Sequence, residues 1–486
     1  MKFFQFDSLK KTIFSTVFLC LGFTTMGNVY AQSPTGFGSG RFEESYSLQL
    51  VGNFDSMGIA DLNGDSAPDM VMVSKAGNQM AYLETDSDGV MTVESYYDII
   101  FPGNFDQILT IDFNLSGLKD CIILSEEGIL LYMERQGSSF NEVPITIPGV
   151  SFFTGFHAAD LDGDGFDDLI LMTQPGIAGG GETYVMTSMG NSELTLHPQI
   201  FGNSISVATT DIGEDGDHDL YLAGSQITIF ENFGGMIFEQ LQIVDVPEEV
   251  DSILVGEILL DDPDGEFTPD LLLFPSSGMG VYIYPGSTSG TIGSPEFQQE
   301  DLIEDSSEQI LANLDGTGSE DLIYLNGIEE EFQVLRADGE DGMPFGSMDH
   351  YDVDPDSTCL TVCDFNQNGV LDVAVTSNST GLLRVFFGKD PEADFSRGDV
   401  NRDGALNLAD PIVSLQSLFT GPVSGLCMDA LDCDDNGTLD LSDPIVLLSF
   451  LFSGGQSLPY PFGFCDQDLT DDLLDCSLFQ VNGDCP

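Results

Sequence analysis

The chain's 486 residues include 82 acidic and only 12 basic side chains, a net charge of −70. A surface this negative repels nucleic acid and anionic membranes, which argues against both as partners. Hydrophobic residues nevertheless make up 42%, too many for a disordered acidic tail, so a packed fold is expected. Bound metal ions, or screening in a salty habitat, would offset the charge.

Residues 1–31 read as an export signal. Lys2, Lys10 and Lys11 form a basic start, diluted by Asp7, and an apolar run follows from Ile13 to Phe23. Val29-Tyr30-Ala31 then places small residues at the −3 and −1 positions of a cleavage site. The run is shorter than the ~20 residues that cross a bilayer, and no later stretch is long enough. The mature chain is expected outside the cytoplasm, secreted or at the cell surface, without a membrane span. Cys20 leaves with the signal. Cys121, Cys359 and Cys363 are expected as buried thiols in a sheet, whereas bridges are expected among Cys427, Cys433, Cys465, Cys476 and Cys485.

From residue 41 a repeat appears. Asp61-Leu-Asn63-Gly-Asp65-Ser-Ala-Pro-Asp69 precedes the strand-like Met70–Val73, and Asp160-Leu-Asp162-Gly-Asp164-Gly-Phe-Asp-Asp168 precedes Leu169–Met172. Asp364-Phe-Asn366-Gln-Asn368-Gly-Val-Leu-Asp372 precedes Val373–Val375. Weaker copies start at Asp112, Asp211, Asp262 and Asn313, each with Asp eight residues later: Asp120, Asp219, Asp270 and Asp321. Five of the six intervals are 51 residues and one is 48. Each unit reads as four strands; in the first they end at Asp61, then run Asp69–Ser74, Met80–Glu84 and Met91–Ile99. A four-stranded unit of ~50 residues is one blade of a β-propeller. The seventh unit stops at Phe387 and lacks a fourth strand, and a spare one lies at Phe42–Leu50. The N-terminal strand is therefore expected to complete the last blade and close the ring.

Within each loop, positions 1, 3, 5 and 9 offer side-chain oxygens and position 7 a carbonyl, a spacing that suits the six to eight oxygens calcium prefers. Zinc would call for Cys or His. The loops hold only His218, at position 8. Plain Asp/Asn/Gly turns are the bland alternative, which seven loops in register make a poor fit. The ligand candidates are Asp61, Asn63, Asp65 and Asp69; Asp160, Asp162, Asp164 and Asp168; and Asp364, Asn366, Asn368 and Asp372. Incomplete sets are Asp211, Asp215 and Asp219, with Gly213 at position 3, and Asp262, Asp264, Glu266 and Asp270. Ser116 and Thr317 weaken the remaining two. On these motifs the region 41–390 resembles the FG-GAP/VCBS repeats of integrin-α-type propellers. That resemblance implies an all-β seven-bladed propeller with calcium in the loops. Members of that family include adhesion proteins, lyases and surface proteins, so it leaves function open.

A second motif opens at Asp399, with Asn401, Asp403, Asn407 and Asp410 at positions 3, 5, 9 and 12. It recurs 33 residues later as Asp432, Asp434, Asn436, Asp440 and Asp443. Gly404 and Gly437 sit at the sharp turn, as in an EF-hand loop, with Asp in place of the usual final Glu. Pro411–Phe419 and Pro444–Phe452 carry helical periodicity. A duplicated loop-helix of this kind resembles a type I dockerin over 397–455, followed by a Cys-containing extension over 456–486. The resemblance implies a cohesin-like partner. At positions 10 and 11, Leu408/Ala409 and Leu441/Ser442 are less hydroxyl-rich than in cellulosomal dockerins. Arg397-Gly398-Asp399 spells an adhesion tripeptide, but Asp399 is already a ligand candidate.

No catalytic set stands out. His157, His197, His218 and His350 are scattered, and no Gly-x-Ser-x-Gly elbow occurs. Tryptophan is absent, which argues against a sugar-stacking cleft. The expectation is a calcium-binding propeller that binds a polysaccharide or surface protein and docks through its C-terminus. The alternative is a glycosidase or polysaccharide lyase, because dockerins often accompany such enzymes and a carboxylate pair has no fixed sequence spacing.

Overall fold

A computed structural model of the chain describes residues 42–111, 119–136, 139–147, 150, 152–173, 181–188, 194–202, 204–211, 218–259, 269–277, 280–287, 289–298, 306–314, 319–327, 329–337, 345–346, 348–389, 395–401, 404–420, 427–462 and 474. The expected signal, together with Cys465, Cys476 and Cys485, lies outside these residues. Two compact units divide in the chain between Gly388 and Lys389. No helix among the described residues is long and apolar enough to cross a membrane.

The first unit is a seven-bladed β-propeller of four-stranded antiparallel sheets. Its first blade comprises Ser56–Ala60, Asp69–Ser74, Gln79–Thr85 and Met91–Asp98, from the inside outward. The second strand is buried along its whole length in the first, third and seventh blades, at Asp69–Ser74, Asp168–Thr173 and Asp372–Ser377. Such strands face a neighbouring blade on both sides, so they read as continuous apolar runs. The outer strands Met91–Asp98 and Phe238–Asp245 mix buried and exposed positions, because one flank faces water.

The apolar core is divided among the seams between blades. One cluster joins Met57, Ile59, Met70 and Met72 of the first blade to Cys359, Cys363, Ala374 and Val385 of the seventh. The other six seams hold comparable clusters. Cys359 and Cys363 thus share one blade face, and with Cys121 they are buried thiols, as the sequence predicts.

The innermost strands leave backbone N–H groups without a strand neighbour, and a buried N–H needs an acceptor. Side chains of the preceding blade supply it at one recurrent place. Ser56 Oγ accepts from Ile108 N at 3.3 Å, Ser206 Oγ accepts from Ile253 N at 3.1 Å, and Glu308 Oε2 accepts from Leu360 N.

The ring closes as the repeat count predicts. Phe42–Gln49 pairs antiparallel with Leu382–Gly388 and forms the outer strand of the seventh blade. Phe42 packs edge-on against Phe332 and Tyr351 of the sixth blade. Tyr46 Oη donates to Gly89 O at 2.8 Å and accepts from Met91 N at 2.9 Å, tying the same strand to the first blade.

The second unit contains helices α1 (Ala409–Thr420), α2 (Met428–Leu431) and α3 (Ser442–Ser453). The periodicity predicts α1 and α3, whereas the single turn of α2 is too short to leave a periodic signal. Cys427 Sγ accepts from Ala430 N at 3.3 Å and caps α2. Gly454, at φ +67°, ends α3 in the left-handed region that glycine tolerates. Leu447, Leu458 and Cys433 form a small core with Leu406, Phe450 and Phe462. Cys427 is in a disulfide and Cys433 is a buried thiol.

Candidate metal centres

The propeller loops share a winding set by their first aspartate. Asp160 Oδ1 accepts from Gly163 N at 2.8 Å, and Oδ2 accepts from Gly165 N at 2.8 Å. Asp61 accepts from Gly64 and Ser66, and Asp364 from Asn368 and Gly369, in the same way. Positions 4 and 6 take positive φ: Gly163 (+73°) and Gly165 (+88°), Gly64 (+84°) and Ser66 (+74°), Gln367 (+56°) and Gly369 (+90°). Positions 3 and 5 add Asx turns. Asn63 Oδ1 accepts from Asp65 N, Asp65 Oδ1 from Ala67 N, Asn366 Oδ1 from Asn368 N and Asn368 Oδ1 from Val370 N.

The ninth position does something the ligand pattern does not reveal. In all seven blades its Oδ1 accepts a backbone N–H from the far end of the third strand or just beyond it, at 2.6–3.2 Å. The donors are Thr85, Arg135, Ser188, Asn232, Gly286, Ala337 and Gly388. Among the described residues, Oδ2 accepts from the loop's second residue in five blades: Leu62, Leu161, Ile258, Leu314 and Phe365. In the second blade Oδ2 of Asp120 accepts from Tyr132 Oη at 2.6 Å. Asp69, Asp120, Asp168, Asp219, Asp270, Asp321 and Asp372 are all buried. Each latches the loop or the second strand to the third. Asp120 and Asp321, which the ligand count sets aside, are therefore as structural as the rest. Position 9 is Asp in every copy while positions 3 and 5 drift, and that contrast was the available signal.

The fifth loop departs in register. Gly256 pairs with Asp270, whereas Ala60 pairs with Asp69 and Ala159 with Asp168. The connection thus runs from 257 to 269, against 61 to 68 in the first blade. Glu257 holds the place after the strand that Asp61 holds in the first loop. Asp262, Asp264 and Glu266 lie outside the described residues, as do Asp215 and Asp403. Asp211 follows its strand and is half-buried.

In the second unit, Asp399 Oδ2 accepts from Gly404 N at 2.9 Å and Asp432 Oδ2 from Gly437 N at 2.8 Å, the same first-aspartate winding. Asp410 accepts from Asn401 N and Asn407 N, and Asp443 from Asp440 N. Asn407 Oδ1 accepts from Ala409 N and Asp440 Oδ1 from Ser442 N, so position 9 closes an Asx turn just ahead of each helix. Asn436 Oδ1 accepts from Thr438 N, and its amide donates to Asp434.

Two sets of three carboxylates converge among the described residues, each with one oxygen per residue within 4.8 Å of the others: Asp160, Asp162 and Asp168, and Asp432, Asp434 and Asp443. Those of the first and seventh loops do not. The seventh has asparagine at positions 3 and 5, and in the first the Asn63 amide donates to Asp65 at 3.0 Å.

Burial pushes the Asp168 carboxyl up to about 8, Asp372 to about 7 and Asp69 to about 6. Burial, with the facing Asp432 carboxylate adding to it, raises Asp443 to about 7. Asp443 is 2% exposed, and its Oδ1 is buried without a hydrogen-bond donor. Converging oxygen-only ligands fit a hard cation, and Asp443 Oδ1 leaves one such oxygen of the second triad without a competing N–H. Both triads can hold a metal ion.

A ring of four-stranded blades with aspartate-wound loops between the first two strands defines the first unit as a seven-bladed β-propeller. Residues 112–171 match an FG-GAP-like repeat, so the propeller carries at least one repeat of that family. No curated protein matches the chain. Among solved structures, the chain is similar to the crystal structure of BBS1N in complex with ARL6DN, soaked with lead. That match has 11% identity, covers 71% of this chain and 96% of the other, and has a TM-score of 0.48. It is also similar to a functionally unknown protein from Desulfotomaculum acetoxidans DSM 771, at 16% identity over 63% of this chain and 92% of that one, TM-score 0.40. Both likenesses are remote.

Proposed function

We propose that this chain is an exported calcium-binding scaffold: the propeller binds a polysaccharide or surface protein, and a dockerin-like module over 397–455 docks it to a cohesin-like partner. Calcium, among hard cations, suits loops built from carboxylate and carbonyl oxygens with flexible geometry. The export signal expected over 1–31 supports work outside the cell, where calcium is plentiful and disulfides persist.

One observation carries the docking half of this reading. Leu408, Ile412 and Phe419 of the first loop-helix are 50%, 54% and 69% exposed. Leu441, Ile445 and Phe452 of the second, each 33 residues further on, are 49%, 60% and 67% exposed. Two matched apolar triads at i, i+4 and i+11 form helix-face stripes that support a protein partner over a solvated cap. Adhesion through Arg397-Gly398-Asp399 finds no support, since Arg397 is fully buried and Asp399 nearly so.

The test is surface binding of the full chain to cohesin domains and to a polysaccharide panel, in calcium and in chelator, with released sugars measured in parallel. Calcium-dependent cohesin capture and glycan retention without product support the reading. Product release would select the glycosidase or lyase alternative, and no capture by any cohesin would remove the docking half.

A further inference from the structure

Arg397 heads the largest fully buried side chains among the described residues, and its charge sits in the second unit beside the second aspartate loop. Burying a cation costs several kcal/mol unless partners surround it. Its partners are specific. Nη1 donates to Asp432 O at 2.7 Å and Asp429 O at 3.2 Å, and Nε donates to Tyr460 O at 2.9 Å. Nη2 pairs with Asp435 Oδ1 at 3.0 Å. Asp432 is the first residue of the second loop and Asp435 its fourth. The backbone belongs to the other loop, since Asp399, first residue of the first loop, stands two positions on. Gly398 N also donates to Ala430 O at 3.0 Å. One rigid planar fork therefore spans from the root of the first loop to the root and turn of the second.

We propose that Arg397 is a positioning residue that couples the two loops of the second unit, so that a divalent cation in either raises the affinity of the other. The inference rests on the cation reading of these loops. An ion drawing in the Asp399 carboxylate fixes the backbone from which Arg397 projects. The guanidinium in turn holds the Asp432 carbonyl, and with it the carboxylate that meets Asp434 and Asp443. Until the second ion arrives, the same guanidinium supplies positive charge to a loop crowded with aspartate. Coupling of this kind is reciprocal and typically ~5–150-fold in affinity.

The experiment is hydrogen exchange read by mass spectrometry on the full chain, with calcium titrated and α1 and α3 protection followed separately. In the parent, Asp432→Asn should raise the half-saturating calcium of α1, and Asp399→Asn that of α3, by the same factor of about ten. In an Arg397→Met background both cross-effects should fall to one while each remaining loop still titrates. Arg397→Lys keeps the charge but loses the fork, and serves where the Met variant fails to fold; its cross-effects should also fall below half. Cross-effects that persist unchanged in Arg397→Lys, or parent loops that titrate independently, overturn the coupling and leave the cation reading standing. Protection of both helices that ignores calcium in the parent overturns the cation reading itself.

Discussion

Asp321→Asn isolates the latch from the metal. The sixth loop has threonine at position 5, and its ninth residue lies outside the two converging triads. Asp321 Oδ1 accepts from Ala337 N at 2.9 Å, and Oδ2 accepts from Leu314 N at 3.3 Å. An asparagine can serve only one of these donors, and its own amide then faces the other N–H. Losing one charge-assisted bond and orphaning one buried N–H costs about 3 kcal/mol. A propeller of roughly 350 residues unfolds with an entropy near 0.7 kcal/mol/K, so the melting temperature should drop by roughly 4 °C. Calorimetry in excess calcium and in excess chelator is the assay, and the drop should be the same in both. A melt unchanged within about a degree, or a loss seen only with calcium, would refute a structural role for the ninth aspartate.

Gly165→Ala should destabilise by about 1–2 kcal/mol in urea titrations. No atom lies within 4 Å of the added Cβ, so the cost is backbone strain at φ +88° and not a clash. Ser66→Gly, relieving a left-handed serine at φ +74°, should move the urea midpoint the other way. Burial pushes the Glu308 carboxyl up to about 8 from 4.5, so the folded state holds a proton the unfolded state lacks between those values. Stability should therefore fall as pH rises across that window, and Glu308→Gln should flatten the fall; melts from acid to mildly alkaline pH that keep the parent's slope would count against it. Chelator should lower the melting temperature of the parent by several degrees, through loss of ligand linkage to the native state.

The blade count, the loops and the closing strand were legible because each repeats at a fixed period, and a period survives local drift. Asp69–Ser74 and Phe42–Gln49 fall where the pattern puts them. The fifth loop was harder to place. Asp262 and Asp264 stand at the expected spacing, yet the strand ends at Gly256, because a longer acidic connection mimics the loop it displaces. Arg397 was hidden for a different reason. Its partners are mostly backbone carbonyls, which leave no mark in composition or spacing. The latch aspartates were visible as residues, but their role was not. A carboxylate that accepts two N–H groups and one that binds a cation look alike in sequence.

Ring closure by the first strand has a consequence for the order of events in the cell. Phe42 pairs with Gly388, so the ends of the seventh blade are more than 300 residues apart. At synthesis rates of ~5–20 residues per second, the first strand waits roughly 20–70 s for its partner to be made. Blades one to six can collapse in sequence, but the seam between the seventh and the first exists only after the whole ring has been made. Until then the strand carrying Tyr46 presents an unpaired edge, the form most open to pairing with another chain. Translocation in an unfolded state followed by folding in one step outside would spare the chain that interval.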